Sequence, residues 1–166
     1  MKDNFAGRHL ILDIVSKNKD LLNDISYAEK YMYKITEITK MQLVIPVISM
    51  SFPFNNELHG FVKKLILEGT DSPIIREYSK YVKEKESNDT GISSVGIWNT
   101  SHCSSHSWLD KKYISIDLFS CLNYDINPVI DFTNEYYDVS RVDIADLERY
   151  IGSPQIIDQF TIERLN

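Results

Sequence analysis

The chain has 166 residues, 43% hydrophobic and 25% charged, a size and balance that fit one compact domain with its own core and exclude a disordered or multidomain chain. Lys and Arg number 18 against 24 Asp and Glu, a formal net charge of -6. No basic block accompanies the aromatics, which argues against nucleic acid as a partner.

The opening MKDNFAGRHLILDIVSKNKD carries an apolar run broken by Asp13, too short and too polar for a signal segment or a membrane span, so the expected compartment is the cytosol. In a reducing compartment the two cysteines, Cys103 and Cys121, are expected to be free thiols. Arg8 to Val15 is rich in branched apolar residues and predicts a first strand, with SKNKD as the turn behind it. Leu21 to Ile38 has helical spacing of Leu22, Ile25, Ala28 and Ile35, which predicts a helix of about five turns capped by Asn18 or Asp20. Met41 to Met50 reads as a strand, and Pro46 within it marks an edge position or a bulge.

Between Phe54 and Asp89 the stretches HGFVKKLILEG and IIREYSKYVKEKES predict a helical insertion, at about 55–90. Gly91 to Trp98, Cys103 to Trp108 and Tyr113 to Phe119 alternate like strands and predict an antiparallel meander. Asn127 to Tyr136 predicts a second helix with Pro128 in its first turn, and Ser140 to Ile144 a last strand. This order predicts a single α+β domain over residues 1–166, an antiparallel sheet with helices packed on one face.

Ser93 to Cys121, SSVGIWNTSHCSSHSWLDKKYISIDLFSC, concentrates Ser, His, Cys and Asp in a stretch that otherwise reads as buried strands. Such side chains are costly to bury without partners, so two readings stand: a lined cleft, or an exposed polar strand face. Strand alternation puts 102, 104 and 106 on one face and 101, 103 and 105 on the other. His102 and His106 have the spacing of a helical metal pair, but the segment is not helical and no third ligand follows, so no metal is expected. A Ser-His-acid hydrolase reading lacks the G-x-S-x-G elbow. On the residues alone, Cys121 reads as a core cysteine and Cys103 as a packing residue.

At GRHLILDI, TSHCSSHSW, YISIDLFSC and the following Asn-Pro, the sequence resembles the bacterial and archaeal S-adenosylmethionine decarboxylases, pyruvoyl enzymes of polyamine synthesis. The resemblance covers the chain except the insertion, and its strength is the ordered combination of blocks. It implies the two-layer α/β sandwich of that family and self-cleavage between Thr100 and Ser101, giving a β chain of 1–100 and an α chain of 101–166. Ser101 matches the serine that attacks the preceding carbonyl and becomes the pyruvoyl group, which then condenses with the substrate amine as an electron sink. His106 matches the base that removes the Ser101 α-proton during processing, and Ser93 the second processing serine. Cys121 matches the thiol that returns a proton to the substrate.

Asp110 stands where the family has a Glu that meets the substrate ribose, one methylene shorter and preceded by Leu109 in place of Pro. Phe52 or Phe54 would stack on the adenine together with the processing histidine. Thr100 replaces the common Glu before the cleavage point, where the reacting carbonyl belongs to the backbone. The resemblance further implies a homodimer of αβ units in which residues of both protomers complete a site, with S-adenosylmethionine as substrate. Two alternatives stay open: a relative that decarboxylates a basic amino acid such as ornithine or arginine, and a non-processing regulatory homologue.

Overall fold

The computed structural model describes residues 5–52, 73, 90–151 and 153–163. Among these, seven strands form one sheet: β1 (Phe5–Ser16), β2 (Ile48–Phe52), β3 (Gly91–Trp98), β4 (Ser101–Trp108), β5 (Tyr113–Ser120), β6 (Val139–Tyr150) and β7 (Ser153–Glu163). Every pairing is antiparallel, in the spatial order β2-β3-β4-β5-β1-β6-β7. Among the described residues, α1 (Ile25–Thr39), α2 (Asn127–Tyr136) and a 3-10 helix at Lys19–Asn23 lie in the second layer. The expected α+β architecture is therefore present. The insertion expected at about 55–90, and Phe54 beside it, fall almost wholly outside the described residues.

Strand alternation decides which face the helices cover. Leu10, Leu12 and Ile14 of β1, Ile114, Ile116 and Leu118 of β5, and Val142 and Ile144 of β6 are all at most 1% exposed and join one core with Tyr31, Met32 and Ile35 of α1 and Val129 and Ile130 of α2. The opposite, open face carries His9, Ile11 and Asp13, then Ser115, Asp117 and Phe119, all partly exposed. The two helices meet through aromatics: the Tyr27 and Tyr136 rings stack at 4.1 Å, and Tyr31 Oη lies 2.8 Å from Thr133 Oγ1. Trp98, at the end of β3, donates its indole N–H to Thr36 Oγ1 at 3.0 Å and so ties the sheet to α1.

Several element boundaries differ from the sequence reading. The expected helix over Leu21–Ile38 is split, because the Asp24 side chain accepts the Tyr27 N–H at 3.1 Å and starts α1 there. Asn18 caps only the preceding 3-10 turn, through the Asp20 N–H. Of the strand expected over Met41–Met50, only Ile48–Met50 pairs regularly, continuing to Phe52; before it, Leu43 makes one isolated bridge to Trp98. Pro46 supplies no ladder donor, and β2 is indeed an edge strand. The last strand runs from Val139 to Tyr150, well beyond Ile144, and β7 follows it. A register shift between Asp146 and Leu147 passes over Ile157 on β7, which breaks the alternation that would have marked that strand. The meander and the Pro128-initiated helix stand where the sequence placed them.

Gly7 sits at an irregularity where β1 pairs with β6, with φ of +152°. A Cβ there would lie 2.4 Å from the Ser120 carbonyl oxygen and 2.7 Å from the Phe119 ring. Gly7→Ala is therefore expected to lower stability by about 2 kcal/mol, read as a shifted urea midpoint at unchanged slope. An unmoved midpoint would contradict the close approach.

Candidate active site

Ser101 opens β4 directly after the two-residue turn Asn99–Thr100, and the β4–β5 ladder sets it opposite Ser120. Both serines point into the helix-covered side, Ser101 8% and Ser120 0% exposed, and the Ser101 hydroxyl donates to Ser120 Oγ at 3.0 Å. Ser120 Oγ also accepts the Leu122 N–H at 3.0 Å. One step beyond that pair the chains still touch, for the Thr100 carbonyl accepts the Cys121 N–H at 3.3 Å. The Thr100–Ser101 peptide bond, the Ser101 hydroxyl and Cys121 thus gather at one end of the β4–β5 pair. Cys121 itself is exposed, which overturns its reading as a core cysteine, whereas Cys103 is fully buried and burial pushes its thiol far up. Both cysteines are free.

Ser93 and His106 form a second group. They face each other across the β3–β4 ladder on the open face, with Ser93 Oγ 2.9 Å from His106 Nδ1. The His106 ring lies 6.2 Å from that of Trp108. Asp110 is exposed in the turn just past Trp108, and the Phe52 backbone pairs with Gly91, so both belong to this end of the sheet. Five residues of extended strand separate Ser101 from His106, roughly 17 Å, and their side chains take opposite faces. The residues singled out in the sequence therefore fall into two clusters that do not meet within one chain.

His102 and His106 share the open face but stand four strand residues apart, roughly 13 Å, too far to hold one ion. Among the described residues no group of three or more His, Cys, Asp or Glu is placed to bind a metal. No helix among them is long and apolar enough to cross a membrane.

Ser120 was not singled out from the sequence, although it precedes Cys121; its contact with Ser101 follows only from the ladder register. The network around His9 was also missed. Arg149 donates to His9 Nδ1 at 3.0 Å, so His9 carries its proton on Nε2 and gives it to Asp117 Oδ1 at 3.1 Å. Arg149 also lies 4.6 Å from the centre of the Phe119 ring.

The chain matches the family profile described as S-adenosylmethionine decarboxylase over residues 57–150. It belongs to this family. Among relatives, the S-adenosylmethionine decarboxylase proenzyme of Bacillus velezensis is 24% identical over 152 residues, covering 90% of either chain. That of Thermosipho melanesiensis is 25% identical over 122 residues, 74% of this chain and 65% of the relative. The crystal structure of the adenosylmethionine decarboxylase from Aquifex aeolicus superposes with a TM-score of 0.58 at 14% identity, covering 90% of this chain and 95% of that one. At that identity the likeness shows the shared fold. An S-adenosylmethionine decarboxylase family member thus carries both residue clusters on the family's sheet.

Burial, then the Arg149 guanidinium, hold the His9 imidazole below its ordinary value, against the pull of Asp117. With the folded-state value depressed, the unfolded chain takes up a proton first as pH falls below 6.5. The contribution of neutral His9 is therefore complete above that pH and lost below it as the folded-state value is passed. His9→Gln is expected to flatten the decline of Tm as pH falls below 6.5. An equal decline in both proteins would remove His9 from the acid response.

Proposed function

We propose that the chain is the proenzyme of a pyruvoyl-dependent S-adenosylmethionine decarboxylase, which cuts itself between Thr100 and Ser101 and makes the aminopropyl donor for spermidine synthesis. The observation that carries this reading is the Thr100 carbonyl held by the Cys121 N–H, with the Ser101 hydroxyl on the next residue. Family membership supports it, and so do relatives named as proenzymes.

Processing uses groups of the protein itself, drawn from two copies of the chain. Ser101 Oγ adds to the Thr100 carbonyl carbon; the C–N bond breaks as the C–O bond forms, and the nitrogen gains the proton, turning amide into ester. The Cys121 N–H stands where negative charge develops on the carbonyl oxygen, and Ser93 contributes a further donor. His106, bonded to Ser93 through Nδ1, presents Nε2 to take the Ser101 α-proton, and the ester leaves as the Thr100 carboxylate. Hydrolysis of the resulting dehydroalanine releases ammonia and leaves the pyruvoyl group at the head of the α chain.

The residues fit that group: an intact serine hydroxyl, a polarised carbonyl before it, and an exposed thiol adjoining. The pyruvoyl carbonyl supplies the electron sink for loss of the substrate carboxylate. Cys121 Sγ then gives the proton to the α-carbon. Asp110 meets the ribose, and Phe52 or Phe54 with His106 stacks on the adenine.

The separation of the two clusters supports a homodimer. One protomer offers Ser93, His106 and Asp110, while its partner offers the Thr100–Ser101 bond and Cys121. A single chain has no means of bringing His106 to its own Ser101 without dismantling β4.

Mass spectrometry of the purified protein should give fragments 1–100 and 101–166, the latter trapped by a carbonyl reagent, whereas Ser101→Ala stays one chain. An uncut parent chain would instead indicate a non-processing homologue. Cys121→Ala should be cut yet lose about a hundredfold or more in turnover of S-adenosylmethionine, and unchanged turnover removes Cys121 from proton donation. When Ser101→Ala and His106→Ala chains are co-expressed, only the His106→Ala chain should be cleaved, because its partner supplies the histidine. Absence of that rescue argues for processing within one chain.

A further inference from the structure

We propose that Arg8 and Asp146 are positioning residues that hold the Cys121 loop against the Thr100–Ser101 bond, an inference that rests on the role given above to Cys121. Arg8 lies on β1 opposite Ser120 of β5 and Glu148 of β6. Its guanidinium grips Asp146 with two parallel bonds, Nε to Oδ1 at 2.8 Å and Nη2 to Oδ2 at 2.6 Å. The remaining nitrogen, Nη1, donates to the Tyr124 carbonyl at 2.8 Å and to Asn123 Oδ1 at 3.3 Å. Those acceptors belong to the segment between β5 and α2, whose first residue is Cys121.

That segment is short and held at both ends. At its start, Ser120 is locked in the ladder and Leu122 N–H is bonded back to Ser120 Oγ. At its far end, Tyr124 is buried and donates its hydroxyl to the Leu118 carbonyl at 3.0 Å. Through Arg8 this far end is also joined to β1. Without it, residues 121–123 keep the ladder contact at Ser120 and the Cys121 N–H bond to Thr100, but lose the brace that fixes their direction.

The geometry also accounts for the residue type. Asp146 is only 2% exposed, and a buried ion pair is weak support for stability when apolar side chains of similar volume can replace it. A guanidinium, however, binds a carboxylate with one edge and still directs a third nitrogen elsewhere at a fixed angle, which an ammonium group does not. The pair thus transmits the position of β1 and β6 to the loop that carries the thiol. Gly7, the preceding residue, permits the close approach of β1 to the Ser120 carbonyl that this reach requires.

The test uses Arg8→Lys, which keeps a charge beside Asp146, and the double variant Arg8→Met with Asp146→Leu, which leaves no unpaired buried charge. Asn123→Ala removes one loop contact at an exposed side chain and keeps the test available should either of the others fail to fold. In folded, cleaved protein we expect faster amide exchange at 121–124 and faster alkylation of Cys121, with buried Cys103 as the unreactive internal control. Turnover should fall by about ten- to a hundredfold for the Arg8 variants, with KM nearly unchanged, and Asn123→Ala should show the same pattern more weakly. Parental exchange at 121–124 in a folded Arg8 variant overturns the brace itself. Faster exchange with parental turnover overturns the positioning role, while Cys121→Ala tests the thiol's own part separately.

Discussion

The pairing of β4 with β5 is the constraint on which the site depends. Ser101 opposite Ser120 brings the Thr100 carbonyl to the Cys121 N–H, and the same ladder turns His106 to the other face. A slip of one residue would exchange the faces of the whole strand, moving the Ser101 hydroxyl out of the helix-covered layer and the histidines into it. The register is fixed at the Trp108 end of β4. The turn before β5 closes through Lys112, in the left-handed region at φ 52°, and Leu109 N–H reaches the Thr90 carbonyl at 2.8 Å. On β5 itself, Ile114, Ile116 and Leu118 belong under the helices, which excludes a slip by one residue.

Small residues on the covered side of β4 make this arrangement possible. Ser101, Cys103, Ser105 and Ser107 are all buried, beside a β5 that presents Ile114, Ile116 and Leu118. Ser107 shows how the room is used: its hydroxyl donates to the Leu22 carbonyl at 2.8 Å and accepts the Ile92 N–H at 2.9 Å, fastening the 3-10 turn and β3 at one point. A buried hydroxyl is tolerated when partnered, and this strand couples layers through hydrogen bonds where β5 uses apolar contact.

Much of the fold was legible because strand and helix periods are local. RHLILDIV and YISIDLFS alternate cleanly, and both lie in the sheet with alternate residues buried. The start of α1 was misplaced because Asn18, Asp20 and Asp24 are all competent caps, and only the tertiary position of the helix selects Asp24. The final strand escaped notice because Ile156 and Ile157 are adjacent at a register shift on an edge, where burial imposes no alternation: they are 64% and 49% exposed. In the site, strand alternation correctly divided 102, 104 and 106 from 101, 103 and 105, but it says nothing of which strand lies alongside. Ser120, Arg8 and Asp146 acquire their meaning from cross-strand neighbours 19 to 138 positions away in sequence.

The strand order has a consequence for a chain broken after Thr100. Residues before the break supply β1, β2 and β3, and residues after it supply β4 to β7, yet β1 lies between β5 and β6. The two pieces are interleaved like the fingers of clasped hands, sharing the β3–β4, β5–β1 and β1–β6 ladders. Cutting the backbone therefore leaves the sheet whole, and separating the pieces requires three ladders to be opened together. Unfolding, by contrast, would erase the memory of connection: the intact chain refolds at a rate independent of its concentration, whereas two pieces must first find each other. Maturation by such a cut would be a ratchet, in which the folded state outlives the covalent bond that first assembled it.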